Sequence, residues 1–327
     1  MTNQSKFKFT FADLFAGIGG MRIAFENVGG KCVLTSEIDE QAIKTYNANF
    51  VHNANHTWVK DVTKLKPDHF THNSKLGILL AGFPCQPYSI AGLRKGLEDD
   101  RGGEIFKSLL RILKSVQPEV FLLENVKGIR SHDNGATFEY MLKMLAKQGY
   151  TLRHETLNSM RHANIPQNRE RVFIVGFLDQ KIAAKFEFPE EIKLTNTIHD
   201  CLEKSPVDPV YYYDGRYEAS KTINKEVIKQ DTIYQWRRHY VRENKSKACP
   251  TLTANMGSGG HNVPLVRDQK GVRKLTPRET ANFQGFPKSF VLPNLANSHL
   301  YHQFGNSVTV PLIQRIAERI AKAQGWK

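Results

Sequence analysis

The chain has 327 residues, of which 40% are hydrophobic and 24% are charged. These values exclude a disordered or collagen-like protein, and the length allows about two domains with cores of their own. The formal net charge of +14 at pH 7 predicts a polyanionic partner.

A membrane or secreted location is not expected. The longest apolar run, Leu76–Phe83, has eight residues, whereas a helix needs about 20 to span a bilayer. The N-terminus has no apolar stretch before a cleavage site, so we expect a cytoplasmic protein with no membrane partner. The four cysteines form no CxxC pair, which argues against a disulfide framework or a zinc site, and no metal is expected.

The first 180 residues alternate short apolar runs with helical patterns. This alternation predicts an α/β fold with a doubly wound, mostly parallel sheet. The strands are predicted near Phe9–Phe15, Cys32–Ser36, Leu76–Ala81, Val120–Leu123 and Val172–Gly176. The helices are predicted near Arg22–Val28, Glu40–Asn49, Ile105–Ser115 and Phe138–Lys147.

The composition changes after Phe188 to Pro, Tyr, Asn and Lys with short strand-like pieces, which predicts a second, smaller irregular domain. Between Ile233 and Lys274, nine basic residues stand against two acidic ones, as expected of a phosphate-binding surface. An amphipathic helix is predicted over Val310–Gln324, before Gly325. We expect a first domain at 1–190, a second domain at 191–275, a connection at 276–303 and a C-terminal segment at 304–327 that returns to the first domain.

A glycine-rich turn follows the first predicted strand in the sequence DLFAGIGG, which begins at Asp13. Open α/β sheets bind ligands at such strand-to-helix turns, although this spacing also fits a turn without a ligand or a dinucleotide site. Glu37 follows the second predicted strand, and Asp61, in KDVT, would sit at the tip of a further, third strand before Leu76. Three carboxylates at successive strand ends favour an adenosine pocket, with Glu37 on the ribose hydroxyls.

The fourth predicted strand leads into GFPCQPYS, which contains Cys85. A lone cysteine is usually a small buried hydrophobe, but the Gly- and Pro-rich surroundings favour an exposed thiol here. The fifth strand ends in ENV, and its Glu124 is expected near the tip of the fourth. A thiolate beside a carboxylic acid suits attack on an electron-poor ring, because sulfur adds to carbon while the acid assists at a ring nitrogen.

The sequence QNRER precedes the last predicted strand. Strand alternation is expected to put Gln167, Arg169 and Arg171 on one face. The two arginines there would favour a thiolate and hold a phosphate or a ring oxygen. The alternative is a solvated strand start in which they pair with Glu170.

Taken together, these motifs resemble one family, the DNA (cytosine-5)-methyltransferases of bacterial restriction–modification type. The six matching motifs occur in family order between residues 13 and 308, and only the middle of the chain is left uncovered. They are DLFAGIGG, GFPCQPYS, ENV, QNRER, LTPRETANFQGFP and QFGNSV.

The resemblance implies methyl transfer from S-adenosylmethionine to C5 of a cytosine flipped out of a short double-stranded DNA sequence. Cys85 would add to C6, Glu124 would contact N3 and the amino group, and Arg169 with Arg171 would hold the ring oxygen and order the site. Gln167 of the same motif is a further expected catalytic residue. Such enzymes protect host DNA from a cognate restriction endonuclease. A monomer acting at the bacterial nucleoid is expected.

The resemblance also implies the residues of the cofactor pocket. They are Asp13, Phe15, Gly17, Gly19, Gly20, Glu37, Ile38, Asp61, Pro84, Asn306 and Ser307. Three positions depart from the family pattern, among them Asn282 in RETANFQGFP, where arginine is common and domain packing would be affected. Ile38 occupies a position where a bulkier aromatic residue can stack on adenine, and Ala91 stands where some relatives have a polar residue, which bears on how the vacated base position is filled.

DNA contacts are expected from the glycine-rich segment 89–104 and from the second domain, which corresponds to the target-recognition domain of the family. The expected residues are Ser89, Arg101, Arg237, Arg238, Arg242, Thr251, Asn255, Gly257, Gly259 and Gly260. The arginines of the second domain fit either bidentate contacts to guanine or contacts to phosphates.

Three other functions fit parts of this pattern. An RNA cytosine-5 methyltransferase would share the architecture, but the basic, loop-rich insert favours reading of duplex DNA. A nicotinamide-dependent oxidoreductase would use the same glycine turn and leave Cys85, Glu124 and QNRER without a role. A catalytically silent DNA-binding module predicts that Cys85→Ser leaves its function intact.

Overall fold

The structure is a computed structural model, in which residues 100–102 are described by their backbone alone. The described residues are 7–51, 56–70, 75–84, 100–204, 206–215, 218–257 and 261–326. No helix within these ranges is long and apolar enough to cross a bilayer.

The strands of the first 180 residues carry the cofactor-type motifs at their ends. They are β1 (Phe9–Leu14), β2 (Gly30–Ser36), β3 (Thr57–Trp58), β4 (Ile78–Gly82), β5 (Val120–Val126), β6 (Thr151–Asn158), β7 (Gln167–Asn168) and β8 (Glu170–Phe177). All except β7 form one sheet in the order β3-β2-β1-β4-β5-β8-β6. The strands from β3 to β5 in this order are parallel, and β8 runs antiparallel to both of its neighbours.

Helices connect these strands and continue to the end of the chain. They are α1 (Gly20–Asn27), α2 (Glu40–Asn49), α3 (Asp100–Val116), α4 (Ala136–Ala146), α5 (Ser159–His162), α6 (Gln180–Ala183), α7 (Ile198–Cys201), α8 (Ser220–Glu226), α9 (Pro277–Phe283), α10 (Asn297–Asn306) and α11 (Val310–Gln324). The predicted fold class is confirmed.

The sheet is buried on both faces, as parallel sheets are when helices cover them. On one face, Phe11 and Leu80 belong to a core that also contains residues of α1 and α11. On the other face, Leu14 and Ala81 pack in a core with residues of α3 and α4. This double burial explains why β1 and β4 read as continuous apolar runs in the sequence.

The strand order reverses between β1 and β4, because the chain moves from β1 to β2 on one side and resumes with β4 and β5 on the other. Such a switch point opens a crevice outside the carboxyl ends of the strands. Asp13 lies opposite Leu80, and Gly82 lies opposite Glu124 in the ladder. The registers therefore bring the predicted motif residues of β1 and β5 to the same edge.

The middle of the chain forms a smaller antiparallel sheet. Its strands and a short neighbouring strand are β9 (Tyr234–Trp236), β10 (Val241–Glu243), β11 (Cys249–Pro250), β12 (Val263–Arg267) and β13 (Val272–Lys274). The order is β10-β9-β12-β13, while β11 pairs with β7. Tyr234, Trp236 and Leu265 belong to a separate small core. The domain limits expected at residues 190, 275 and 303 remain predictions.

Candidate active site

A cavity of about 340 Å³ lies at the carboxyl edge of the large sheet. Its wall is assembled from the turn after β1, the end of β2, the ends of β4 and β5, the start of β8 and the last turn of α10. Sequence-predicted residues in this wall are Asp13, Phe15, Gly17, Gly20, Glu37, Ile38, Pro84, Glu124, Arg171, Asn306 and Ser307. The structure thus brings most of the predicted cofactor and catalytic residues around one space.

The turn between β1 and α1 is held by Glu37. Its Oε2 accepts a hydrogen bond of 2.7 Å from the Gly17 amide, and its Oε1 accepts bonds of 2.8 Å from the amides of Ile38 and Asp39. Burial raises the pKa of Glu37, and these amide donors oppose that rise. The carboxylate therefore fixes the glycine turn to the end of β2, in addition to any contact with a ligand.

Asp13 presents a buried carboxylate to the cavity. The residue is 1% exposed, and its Oδ2 has no hydrogen-bond partner among the described residues. Burial raises the pKa of Asp13 to about 8, although the positive charge of Arg22 acts in the opposite direction. A buried polar atom without a partner is unusual in folded proteins, so this oxygen is available to a cationic or hydrogen-bonding ligand.

Arg22 on α1 contacts the aromatic residues that pack against the glycine turn. Its Nε contacts Glu26 Oε1 at 2.7 Å, its Nη1 donates to the Tyr46 hydroxyl at 3.1 Å, and its guanidinium lies 4.4 Å from the centre of the Phe50 ring. Gly19 does not line the cavity and has φ +84°, and a Cβ there would lie 2.2 Å from the Phe50 ring. Glycine is therefore required for close packing at this position.

Glu124 and Arg171 form an ion pair in the cavity wall. Arg171 Nε lies 3.0 Å from Glu124 Oε1, and Glu124 is 8% exposed. Burial raises the pKa of Glu124, while Arg171 and then Arg169 counteract the rise. The carboxyl group thus holds a proton more readily than an ordinary glutamate, as proton donation to a ring requires.

The segment after β4 leads directly to the predicted nucleophile. Asn125 Nδ2 donates to the Phe83 carbonyl at 3.3 Å, which ties the end of β5 to this segment. Pro84 lines the cavity. Cys85, the next residue in the chain, lies outside the described residues.

The structure places Gln167 and Arg169 away from the cavity wall. Gln167 is fully buried; its Nε2 donates to the Phe283 carbonyl at 2.7 Å, and its Oε1 accepts from the Leu252 amide at 3.1 Å. Arg169 Nη1 donates to the Leu252 carbonyl at 2.9 Å, and its Nη2 donates to the Gly305 and Ser307 carbonyls. Gln167, Arg169 and Arg171 were expected on one face. Of these three, Arg171 reaches the cavity, whereas Gln167 and Arg169 bind main-chain groups of neighbouring segments.

Asp61 likewise does not line the cavity. Its Oδ1 accepts from the Thr63 amide at 2.9 Å and hydroxyl at 2.8 Å, which caps the short 3₁₀ helix after β3. This is the capping role that an isolated carboxylate commonly has.

Three residues of α10 in the cavity wall were not among the predicted site residues: His302, and Gln303 and Gly305 within the QFGNSV motif. The Asn306 side-chain nitrogen lies 3.0 Å from His302 Nε2, since residues four apart share one face of a helix. Gln303 accepts a bond of 2.8 Å from Thr45 on α2. The QFGNSV motif immediately follows His302, so helical spacing was the available signal.

The predicted DNA-contacting residues of the middle segment differ in exposure and in contacts. Arg237 is half-buried, whereas Arg238, Arg242 and Asn255 are exposed. Thr251 Oγ1 donates to the Asn168 carbonyl at 2.7 Å. A Cβ on Gly257 would lie 2.6 Å from the Tyr301 ring. The predictions for Ser89, Ala91, Gly259, Gly260 and the Arg101 side chain fall outside the described residues.

The family described as C-5 cytosine-specific DNA methylase matches residues 9–322 of the chain. The Type II methyltransferase M.Bsp6I of Bacillus sp. (strain RFL6) is 47% identical over 315 residues, which cover 95% of this chain and 98% of that protein. The Type II methyltransferase M.DsaV of Dactylococcopsis salina is 40% identical, over 96% of this chain and 86% of that protein.

Among solved structures, the crystal structure of the S. pombe Dnmt2 methyltransferase has a TM-score of 0.74 and covers 96% of this chain and 98% of that one. Its sequence is 23% identical, so this likeness shows the shared fold alone.

Proposed function

The chain belongs to the C-5 cytosine-specific DNA methylase family and is a DNA cytosine-5 methyltransferase, and from that premise we propose how it acts. It transfers a methyl group from S-adenosylmethionine to C5 of one cytosine, which is extruded from a short specific sequence of double-stranded DNA. The reaction passes through a covalent bond between Cys85 Sγ and C6 of the base. The buried Glu124–Arg171 pair, in the same cavity wall as the glycine turn, is the observation that carries this proposal.

The described part of the cavity fits S-adenosylmethionine. This cofactor carries an adenosine group and hydrogen-bonding groups, and the unpartnered oxygen of Asp13 suits a hydrogen bond to the ligand, while Phe15 and Ile38 provide apolar surface. The residues that would hold it are Asp13, Phe15, Gly17, Gly20, Glu37, Ile38, Pro84, Asn306 and Ser307. When bound, the cofactor supplies an electrophilic methyl group. Gly19 and Asp61 do not line this pocket, and they would act by fixing the conformation of neighbouring turns.

The residues of the chain prepare the base for this transfer. The Cys85 thiolate adds to C6 while Glu124 donates a proton or hydrogen bond to N3, and electron density moves to C5. Within the described residues, Arg171 uses Nε for Glu124 and Nη1 for the Glu170 carbonyl, which leaves Nη2 for the oxygen of the ring. After C5 is methylated, a base removes the C5 proton, the C5–C6 double bond re-forms, the thiolate leaves and N3 returns its proton to Glu124.

Gln167 and Arg169 act as positioning residues in this proposal. Their hydrogen bonds to Leu252 and to the Gly305 and Ser307 carbonyls support a fixed relation between the recognition segment and the cofactor segment. The base must leave the stacked bases of the DNA duplex to reach the thiol. A fixed relation between these segments would therefore align the flipped cytosine with the methyl donor.

The relatives named as Type II methyltransferases support a role in a restriction–modification system. The chain would then protect bacterial DNA from an endonuclease of the same specificity, acting as a monomer at the nucleoid without a stable complex with that enzyme. Plasmid prepared from an expressing strain should resist cleavage by such an endonuclease.

Sequencing the DNA of an expressing strain for 5-methylcytosine tests the central proposal. We expect the modified base within one short sequence context, and no modification with Cys85→Ser. A duplex carrying 5-fluorocytosine at the target should become permanently joined to the wild-type protein when S-adenosylmethionine is present. Labelled methyl groups in tRNA but not in DNA, or catalysis by Cys85→Ser, would overturn the proposal.

A further inference from the structure

One face of the small sheet is directed toward the rest of the protein. Ile233, just before β9, and Val266 on β12 belong to the large core that contains α1 and α11. Tyr234 and Leu265, their neighbours in sequence, belong to the separate small core. Because side chains on a strand alternate between faces, Arg237 lies on the Ile233 face, four residues further along the chain.

Arg237 lies beside Asn262 at one end of this sheet. Trp236 is paired with Val241 on β10 and with Val263 on β12, so the residue after Trp236 and the residue before Val263 are neighbours. The Arg237 amide donates to the Tyr240 carbonyl at 2.9 Å and closes the turn between β9 and β10. Asn262 has φ +57°, as residues at a sharp entry to a strand often do.

Several polar atoms at this end have no hydrogen-bond partner in the part of the chain that the structure describes. Arg237 Nε, His261 Nδ1 and Asn262 Oδ1 are buried and have no hydrogen-bond partner among the described residues. Buried polar groups are hydrogen-bonded in the great majority of cases. The three residues are half-buried and lie next to the exposed side chains of Arg238 and Tyr240, so a ligand that displaces part of their cover would supply the missing hydrogen-bond partners.

We propose that Arg237, His261 and Asn262 form an edge that reads bases and selects a guanine in the methylated sequence, whereas Arg238 contacts phosphate. This rests on the function proposed above. The guanidinium fork matches the O6 and N7 acceptors of guanine in the major groove, and the amide oxygen of Asn262 accepts from an exocyclic amine of a neighbouring base. Arg238 is exposed, and an exposed arginine beside this edge suits a contact that carries no sequence information.

The test uses the full chain and a library of duplexes with randomised positions around a cytosine, read by sequencing of 5-methylcytosine. With Arg237→Lys, which keeps the charge but loses the planar fork, discrimination in favour of guanine should fall about tenfold to a hundredfold at one position. Asn262→Gly keeps the positive φ accessible and should relax an adjacent position. Arg238→Ala should lower methylation of all sequences alike and weaken its salt dependence.

The outcomes separate this inference from the proposed function. If the wild-type chain methylates no duplex, the proposed function fails. If the wild type is selective and both Arg237→Lys and Asn262→Gly keep its discrimination at every position, or change all sequences uniformly as Arg238→Ala does, the inference is overturned. Thermal unfolding identifies a variant that does not fold, and if Arg237→Lys is one, the result with Asn262→Gly decides.

Discussion

Arg273 and Glu279 form a bidentate ion pair in which neither side chain is more than 2% exposed. The contacts are 2.7 Å from Nη1 to Oε2 and 2.8 Å from Nη2 to Oε1, and Asp268 adds a contact of 2.7 Å to Nε. The pair joins β13, the last strand of the small sheet, to α9, which leads back to the large domain. It is therefore part of what orients the two regions.

Replacing Glu279 with Gln should lower the free energy of unfolding by about 3–5 kcal/mol, because it leaves the buried charge of Arg273 partly uncompensated. Urea unfolding measures the effect. The matched control is Glu170→Gln, whose pair with Lys127 is exposed and should change stability by less than about 1 kcal/mol. Equal losses for the two variants would contradict the assigned role.

Asp13 makes the stability of the protein without added cofactor depend on pH. In the unfolded chain this carboxyl ionises near its ordinary pKa of 3.8, whereas burial raises the pKa to about 8 in the folded protein. The folded state binds the proton more tightly, so stability is full below about pH 4 and falls as pH rises toward 8. Asp13→Asn cannot ionise and should avoid this loss.

Thermal unfolding of the wild type and of Asp13→Asn across this pH window tests the prediction. The advantage of the variant should grow with pH and reach up to several kcal/mol at most. A difference that stays constant from pH 4 to pH 8 would show that the Asp13 carboxyl titrates normally.

Gly19→Ala should disturb the cofactor turn more than Gly17→Ala. Both glycines have positive φ, which costs an alanine about 1–2 kcal/mol. A Cβ at Gly19 also meets the Phe50 ring at 2.2 Å, whereas no atom of the described residues lies within 4 Å of a Cβ at Gly17. We expect a further loss of about 1–3 kcal/mol for Gly19→Ala from this overlap, visible as a lower melting temperature. A smaller effect at Gly19 than at Gly17 would show that Phe50 moves aside freely.

Glu124→Gln should lower kcat by about 10²- to 10⁴-fold, because the amide replaces a carboxyl whose raised pKa suits proton donation. Binding of duplex DNA should change little. Single-turnover methylation and DNA titration measure the two quantities separately. A parallel loss of affinity and rate would instead assign Glu124 to the architecture of the site.

The sequence predicted the central strands and the α/β class well, because β1, β4 and β5 are buried on both faces and read as apolar runs. It missed β6, whose side chains are mostly exposed or half-buried at the edge of the sheet. The strands of the small sheet are also hard to define from sequence, since β9, β10 and β13 have three residues each.

The candidate site was likewise predictable from the sequence only in part. Asp13, Glu37 and Glu124 stand at strand ends, where chain position alone predicts convergence. Arg22 could not be found this way, because an arginine within a helical pattern resembles any surface residue, and its contacts with Tyr46 and Phe50 depend on how α1 and α2 pack. Spacing likewise does not reveal that Asp61 turns back to cap Thr63.

Besides the apolar packing of residues such as Ile233 and Val266 in the large core, several polar contacts attach the middle segment to the catalytic half through main-chain atoms on the segment's side. Arg169 binds the Leu252 carbonyl, Gln167 the Leu252 amide, and the Pro166 carbonyl accepts from the Cys249 amide at 2.7 Å. A peptide group is the same whichever side chain it carries. Substitutions of side chains in this segment can therefore change the DNA sequence preference, while the main-chain contacts that attach the segment and the catalytic residues stay the same.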